Sequence, residues 1–348
     1  MNKTLFNGRI TQIIVLIIIV LIAILLIKQL FVFLPGFLGA LTLYIVSRAQ
    51  YFNLIFKKKW KKNPTAFLFI FIYLFAISLL IYVSVALISP KINEVIQNQD
   101  KIITTIESVA KTITEKTGTE ILSSGNIKSV AQKVSAFLPN LLSNTASLLA
   151  NIFIMFFLLY FLLVGGRDLE KKLNKLIPLK PHNINILATE TKMMIRANAL
   201  GIPIICLVQG VFASIGYLIF GIDDWALWGF LTGIFAFFPL VGTMIMWIPL
   251  TLFLYAQGHT MGAVGLGLYS LLVTGNVDYV ARITVMKKMG DVHPLITVLG
   301  VIVGLNLFGF VGLIFGPLLI SYFLILVKIY VNEFSDDDDN NERQENIN

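Results

Sequence analysis

Apolar residues come in long unbroken runs along this chain, with little of the one-in, one-out alternation that marks a half-buried strand. Runs at about 10–27, 30–47, 65–88 and 144–164 each have the length a helix needs to cross roughly 30 Å of hydrocarbon. A more interrupted set follows from 200 to 331. Continuous runs exclude a membrane barrel, whose strands alternate. The pattern predicts an all-α polytopic membrane protein with about eight hydrophobic segments.

Two segments do not fit a simple span. Trp225 to Gly258 is too long for one untilted crossing of about 20 residues and too short for two with a loop. Its middle reads FFPLVGT, with Pro239 and Gly242 and no charge, so the turn is expected to stay inside the membrane as a re-entrant hairpin. A span at about 260–277 follows. Then HPLITVLGVIVGLNLFGFVGLIFGPLLIS repeats the pattern, weakened at its centre by Gly309, Gly312, Gly316 and Pro317. Span, broken hairpin, span, broken hairpin, entered from opposite sides, predicts an inverted repeat whose interruptions meet at a solute site. Kinked full spans and glycines that only allow close packing fit the same composition.

Composition agrees with a lipid environment: 57% hydrophobic, 13% charged, mean hydropathy +0.84. The N-terminal run is too long for a signal-peptide core and lacks a small-x-small cleavage site, so an uncleaved span is expected. The net charge of +8 gathers in SRAQYFNLIFKKKWKKNP and GGRDLEKKLNKLIPLKP. Both loops read as cytoplasmic by the positive-inside rule, as does the N-terminus with Lys3 and Arg9, and span counting adds the C-terminus. The lysine cluster also suits anionic headgroups or nucleic acid; topology is the reading adopted, with the lipid bilayer as partner and no nucleic acid. The lone Cys206 excludes a disulfide framework.

Five regions result: N-terminal spans with their basic loop (1–88), an extracytoplasmic amphipathic layer (89–143), a span with a helical linker (144–199), a transport core (200–331) and a disordered acidic tail (332–348). In the amphipathic layer, Ile92, Val95, Ile96, Ile102, Ile103 and Ile106 fall at helical spacing, which suits either internal packing or contact between protomers of a homo-oligomer.

An ionisable side chain in a membrane segment is costly and so points to function. Asp278 lies close to the broken core, where it can bind a proton or a coupling cation; Arg282, four residues on, makes a plain surface ion pair an equal reading. Gln209 and Asn306 are amides in apolar surroundings, suited to a polyhydroxylated solute or to interhelical bonding, and Asn276 adjoins Asp278. His293 before Pro294 reads as a helix start. No phosphate-cradling loop, no His-Glu-x-x-His and no nucleophile turn occurs, so no cofactor, metal or enzymatic role is expected.

Four stretches in order, VQGVFASIGYLIFGI (208–222), FFPLVGTMIMWIPL (237–250), NVDYVAR (276–282) and HPLITVLGVIVGLNLFGFVGLIFGPLL (293–319), resemble the autoinducer-2 exporter family of bacterial inner-membrane permeases. The resemblance covers nearly the whole chain and departs at Ile283, where the family often has proline after the arginine. It implies secondary export of a small polar solute. Some members are linked to autoinducer-2 and others to sodium–proton exchange.

Overall fold

The computed structural model describes residues 3–97, 108, 111, 114, 145–177, 179–238, 241–286, 294–308 and 312–345. Eleven α-helices carry the described chain: α1 (Lys3–Leu30), α2 (Leu34–Phe56), α3 (Lys62–Gln97), α4 (Thr145–Leu176), α5 (Pro181–Ile219), α6 (Trp225–Phe235), α7 (Met244–Ala256), α8 (Thr260–Tyr269), α9 (Gly275–Met286), α10 (Pro294–Phe308) and α11 (Gly312–Glu345). A 3-10 turn, Phe31–Phe33, joins α1 to α2, and a π-helical turn, Ser270–Thr274, joins α8 to α9. No strand occurs among the described residues. Five stretches are long and apolar enough to cross a membrane, which makes this a multi-pass membrane protein.

The first two apolar runs do not fold back on each other. Leu30 and Leu34, on either side of the 3-10 turn, keep right-handed helical dihedrals, and every α1 residue from Ile10 to Leu30 is exposed. Pro35 does not force a reversal, because it falls in the first turn of α2, where a missing N–H is tolerated. The span count that placed the N-terminus assumed a reversal here, so that placement now rests on Lys3 and Arg9 alone. The amphipathic layer lies almost wholly outside the described residues. At the other end, α11 runs on to Glu345 through the segment expected to be disordered. Elongating an anchored helix avoids the nucleation cost that a separate acidic segment would meet.

α2 and α4 lie side by side in the same direction. The N-cap of α2 is Phe33, which offers no side-chain acceptor, so the Gly36 amide is orphaned within its own helix. Asn151 supplies the acceptor from α4, at 3.0 Å from Gly36 N to Oδ1, while its amide donates to Val32 O at 3.2 Å. Ala40, Tyr51, Ala66, Leu159, Leu163, Ile195 and Leu318 then close one apolar core among α2, α3, α4, α5 and α11. A second core joins α5, α7 and α8 through Ala213, Tyr217, Leu250, Leu254 and Leu266.

Both broken hairpins are present. α6 has 11 residues and α7 has 13, so each is about 16–20 Å long and falls short of a bilayer. α6 packs back along α5, with Gly210 facing Gly229 and Gly233. α7 packs along α8, with Gly267 near Thr251 and Gly262 near Leu254. The Phe220 carbonyl, at the end of α5, lies by Gly262 near the start of α8, so the hairpin enters and leaves at one end of the bundle. Its turn bonds to itself: Phe237 N donates to Ile234 O, Phe238 N to Phe235 O and Gly242 N to Phe238 O, at 3.2, 2.9 and 3.1 Å. That is how an uncharged turn tolerates a setting without water.

The second hairpin is closed by glycine. α10 and α11 run antiparallel with Gly300 against Gly316 and Pro317, and Gly304 against Gly312, backbone on backbone. A side chain on Gly312 would collide with the Gly304 carbonyl, whereas a Cβ on Gly267 would sit 3.6 Å from Thr251 Cγ2, an ordinary contact. Gly312→Leu is therefore expected to lower thermal stability in detergent by about 1–3 kcal/mol or to prevent folding. Gly267→Ala should hold or gain about 0.5–1 kcal/mol. Equal melting of Gly312→Leu and the parent would mean that the two helices are not in contact.

Candidate functional site

α5 and the α8–α9 rod are antiparallel neighbours. The Phe220 ring packs on Gly265, and Tyr269 Oη donates to Phe212 O at 2.9 Å. Two turns further along, Gln209 Nε2 donates to Thr274 O at 3.3 Å. Gln209 is 0% exposed, and its Oε1 has no partner among the described residues. The amide orientation follows from chemistry: only the NH2 end can face the Thr274 carbonyl, so the orphan atom is an acceptor.

Thr274 closes the π-helical turn, in which the Gly275 amide reaches back five residues to Ser270 O. Such single-turn bulges recur at functional sites because they shift the register of the backbone acceptors. Ser270 and Thr274 are each 2% exposed, so both ends of the turn are buried, and Gln209 packs at the Thr274 end. A buried carbonyl without a partner costs about 1–3 kcal/mol. The free Gln209 oxygen can accept a hydrogen bond and cannot donate one.

The sequence-derived candidates do not all converge here. Gly242 sits in the hairpin turn, where a Cβ would strike Phe235 O; it shapes the backbone and carries no group of its own. Asn276 and Asn306 are exposed, each donating to the carbonyl four residues earlier on its own helix, Leu272 O at 2.5 Å and Ile302 O at 3.0 Å. Gly316 and Pro317 are buried in the α10–α11 contact with Gly312. Asp278 and Arg282 lie on α9, four residues apart; their side chains, like Pro239, Gly309 and His293, fall outside the described residues. Ser270 and Thr274 carry a signal that sequence reading passed over, a polar pair four apart inside an apolar run.

Two ion pairs escape local sequence reading altogether. Arg48 grips Glu170 with both arms, Nε to Oε1 at 2.6 Å and Nη2 to Oε2 at 2.5 Å, and Tyr44 Oη donates to Oε1 at 2.9 Å. Arg196 of α5 donates to Ile45 O at 3.2 Å beside them. At the opposite end Lys91 meets Asp224 at 2.7 Å, tying α3 to the α5–α6 turn. Among the described residues no group of three or more His, Cys, Asp or Glu gathers as a metal site.

The AI-2E family transporter profile matches residues 13–332. The chain belongs to the AI-2E transporter family. Its relatives include proteins of Helicobacter pylori strain J99, 29% identical over 168 residues (46% of this chain, 48% of that protein), and of Aquifex aeolicus, 27% identical over 167 residues (47% of each). A Buchnera aphidicola protein is 38% identical over 133 residues, 38% of this chain and 36% of its own. Each carries a name that assigns it to transport and nothing finer. The match spans about half the length of these curated relatives. The AI-2E match begins within α1 and ends within α11, so it takes in both interrupted segments.

The Arg48–Glu170 pair is a measurable feature of this AI-2E chain. Both side chains are 30% exposed, which discounts the pair relative to a dry one. A double-mutant cycle with Arg48→Met and Glu170→Met is expected to give a coupling of about 1–2 kcal/mol in thermal unfolding. A coupling within error of zero would show that α2 and α4 are held without it.

Proposed function

We propose that this protein is a secondary transporter that exports a small polar solute, autoinducer-2-like in its hydroxylated chemistry, with an ion gradient of protons or sodium as the driving force. The observation that carries the reading is the buried Gln209 oxygen without a partner, set against a π-helical turn between two antiparallel rods. A fold keeps such a cost where something else repays it, and a solute hydroxyl supplies the missing donor. The orphan acceptor favours hydroxylated or cationic cargo over carboxylates. The α6–α7 and α10–α11 hairpins supply elements that can move against the α5 and α8–α9 pair to expose that place to one side and then the other.

Asp278, two residues beyond Asn276 on α9, is assigned the coupling role, with Arg282 four residues further along. The protein acts as a carrier in the cytoplasmic membrane of a bacterium, as a homo-oligomer, without a cofactor and without catalysis.

The test begins with untargeted comparison of solutes retained by cells with and without the protein, followed by counterflow in vesicles preloaded with the retained solute. Trans-stimulated exchange is expected; high conductance without it would make the protein a channel. Gln209→Met keeps the volume and removes the amide, and should cut exchange about tenfold or more while the protein still folds. Asp278→Asn should leave solute exchange near the parent rate and abolish acceleration by an imposed proton or sodium gradient. Unchanged flux in Gln209→Met would remove the amide from the pathway.

A further inference from the structure

A groove of about 470 Å³ lies at the end of α2, lined by Ala49, Gln50, Phe52, Asn53, Phe56 and Lys57. We propose that it is a binding site for the headgroup and first acyl carbons of an anionic phospholipid. Its position follows from charge. The apolar stretch Ile10–Phe56 gives way at Lys57 to a run of lysines, the residue type that gathers at the headgroup boundary.

Aromatic and polar side chains interleave along the lining. Phe52 and Phe56 stack with ring centroids 5.8 Å apart and planes at 27°. Their rings are backed by guanidinium groups, Arg48 5.5 Å from the Phe52 centroid and Arg167 5.0 Å from that of Phe56. Gln50 and Asn53 bring amides to the rim, and Lys57 brings an ammonium group.

Two carbonyls near the helix end are already taken. Asn53 O accepts from Lys57 N at 2.9 Å, and Leu54 O from Trp60 N at 3.2 Å. Arg48 neutralises Glu170 on the neighbouring α4. The turn beyond the groove then adds Lys58, Lys59, Lys61 and Lys62 around an exposed Trp60, the residue type that settles at a headgroup interface.

A phosphate alone would use only the rim and leave two rings facing water. A nucleic acid would meet the lysines but not rings that lie on the apolar side of them. A phospholipid uses both parts, with apolar carbons on the rings and phosphate against ammonium and amide. The site is independent of the solute pathway, which runs through Gln209.

The test uses the full chain purified in detergent and native mass spectrometry of retained lipid. Phosphatidylglycerol, phosphatidylcholine, inorganic phosphate and a short single-stranded DNA are offered separately and in competition. Phosphatidylglycerol should be retained at least tenfold better than phosphatidylcholine and should survive a large excess of inorganic phosphate. Lys57→Gln, in the groove, should weaken it about fivefold, and Gln50→Leu should weaken it measurably. Lys58→Gln, which removes the same charge outside the groove, should change it less than twofold. Equal losses for Lys57→Gln and Lys58→Gln would reduce the effect to diffuse surface charge and overturn the site. So would equal retention of the two lipids, displacement by phosphate at matched concentration, or preferred binding of the DNA.

Discussion

Inside a bilayer no water is at hand to satisfy a backbone amide or carbonyl, and every departure from regular helix must find its partner in the protein. The α6–α7 turn meets that demand with short local bonds from Phe237, Phe238 and Gly242. The start of α2 meets it with Asn151 from another helix. The π-helical turn meets it with a longer reach to Ser270 and with the Gln209 amide. Gln209 Oε1 is the exception among the described side chains, and it is the exception that gives the transport reading a chemical centre.

The same constraint explains where the glycines go. In lipid there is little apolar gain from pressing two helices together, so close backbone approach and good packing must supply it. α10 and α11 obtain this from Gly300, Gly304, Gly312 and Gly316, and α5 and α6 from Gly210, Gly229 and Gly233. Charged groups sit near the ends of the bundle instead, Arg48 with Glu170 at one and Lys91 with Asp224 at the other, where the desolvation cost is lower.

The sequence carries the helical class, the membrane setting, the family and both interrupted segments, because apolar run length and Gly/Pro placement are local properties. Pro239 and Gly242 mark the α6–α7 turn by composition alone. What glycine does at a given place is not local. Gly312 and Gly316 read equally well as a bend open to solute or as a packing surface, and only the position of Gly300 and Gly304 across from them shows the contact. For Gln209 the sequence leaves solute binding and interhelical bonding open, whereas the structure gives its amide to Thr274 and leaves its oxygen unpaired. Glu170 is one carboxylate in a basic stretch until a partner 122 residues away makes it a tie. The continuity of α1 with α2 is missed for the opposite reason: two runs of spanning length suggest two crossings, and nothing in their composition says that the joint is straight.

The bond from Gly36 to Asn151 links positions 115 residues apart, and this sets a schedule for assembly. At synthesis rates of roughly 5–20 residues per second, about 6–23 seconds separate the birth of the donor from that of its acceptor. Through that interval the second helix can already hold the third, Tyr51 against Phe69 at 6.1 Å between ring centroids, while its own first turn waits. The order of emergence from the ribosome therefore makes the fourth helix the late arrival that completes this half of the molecule.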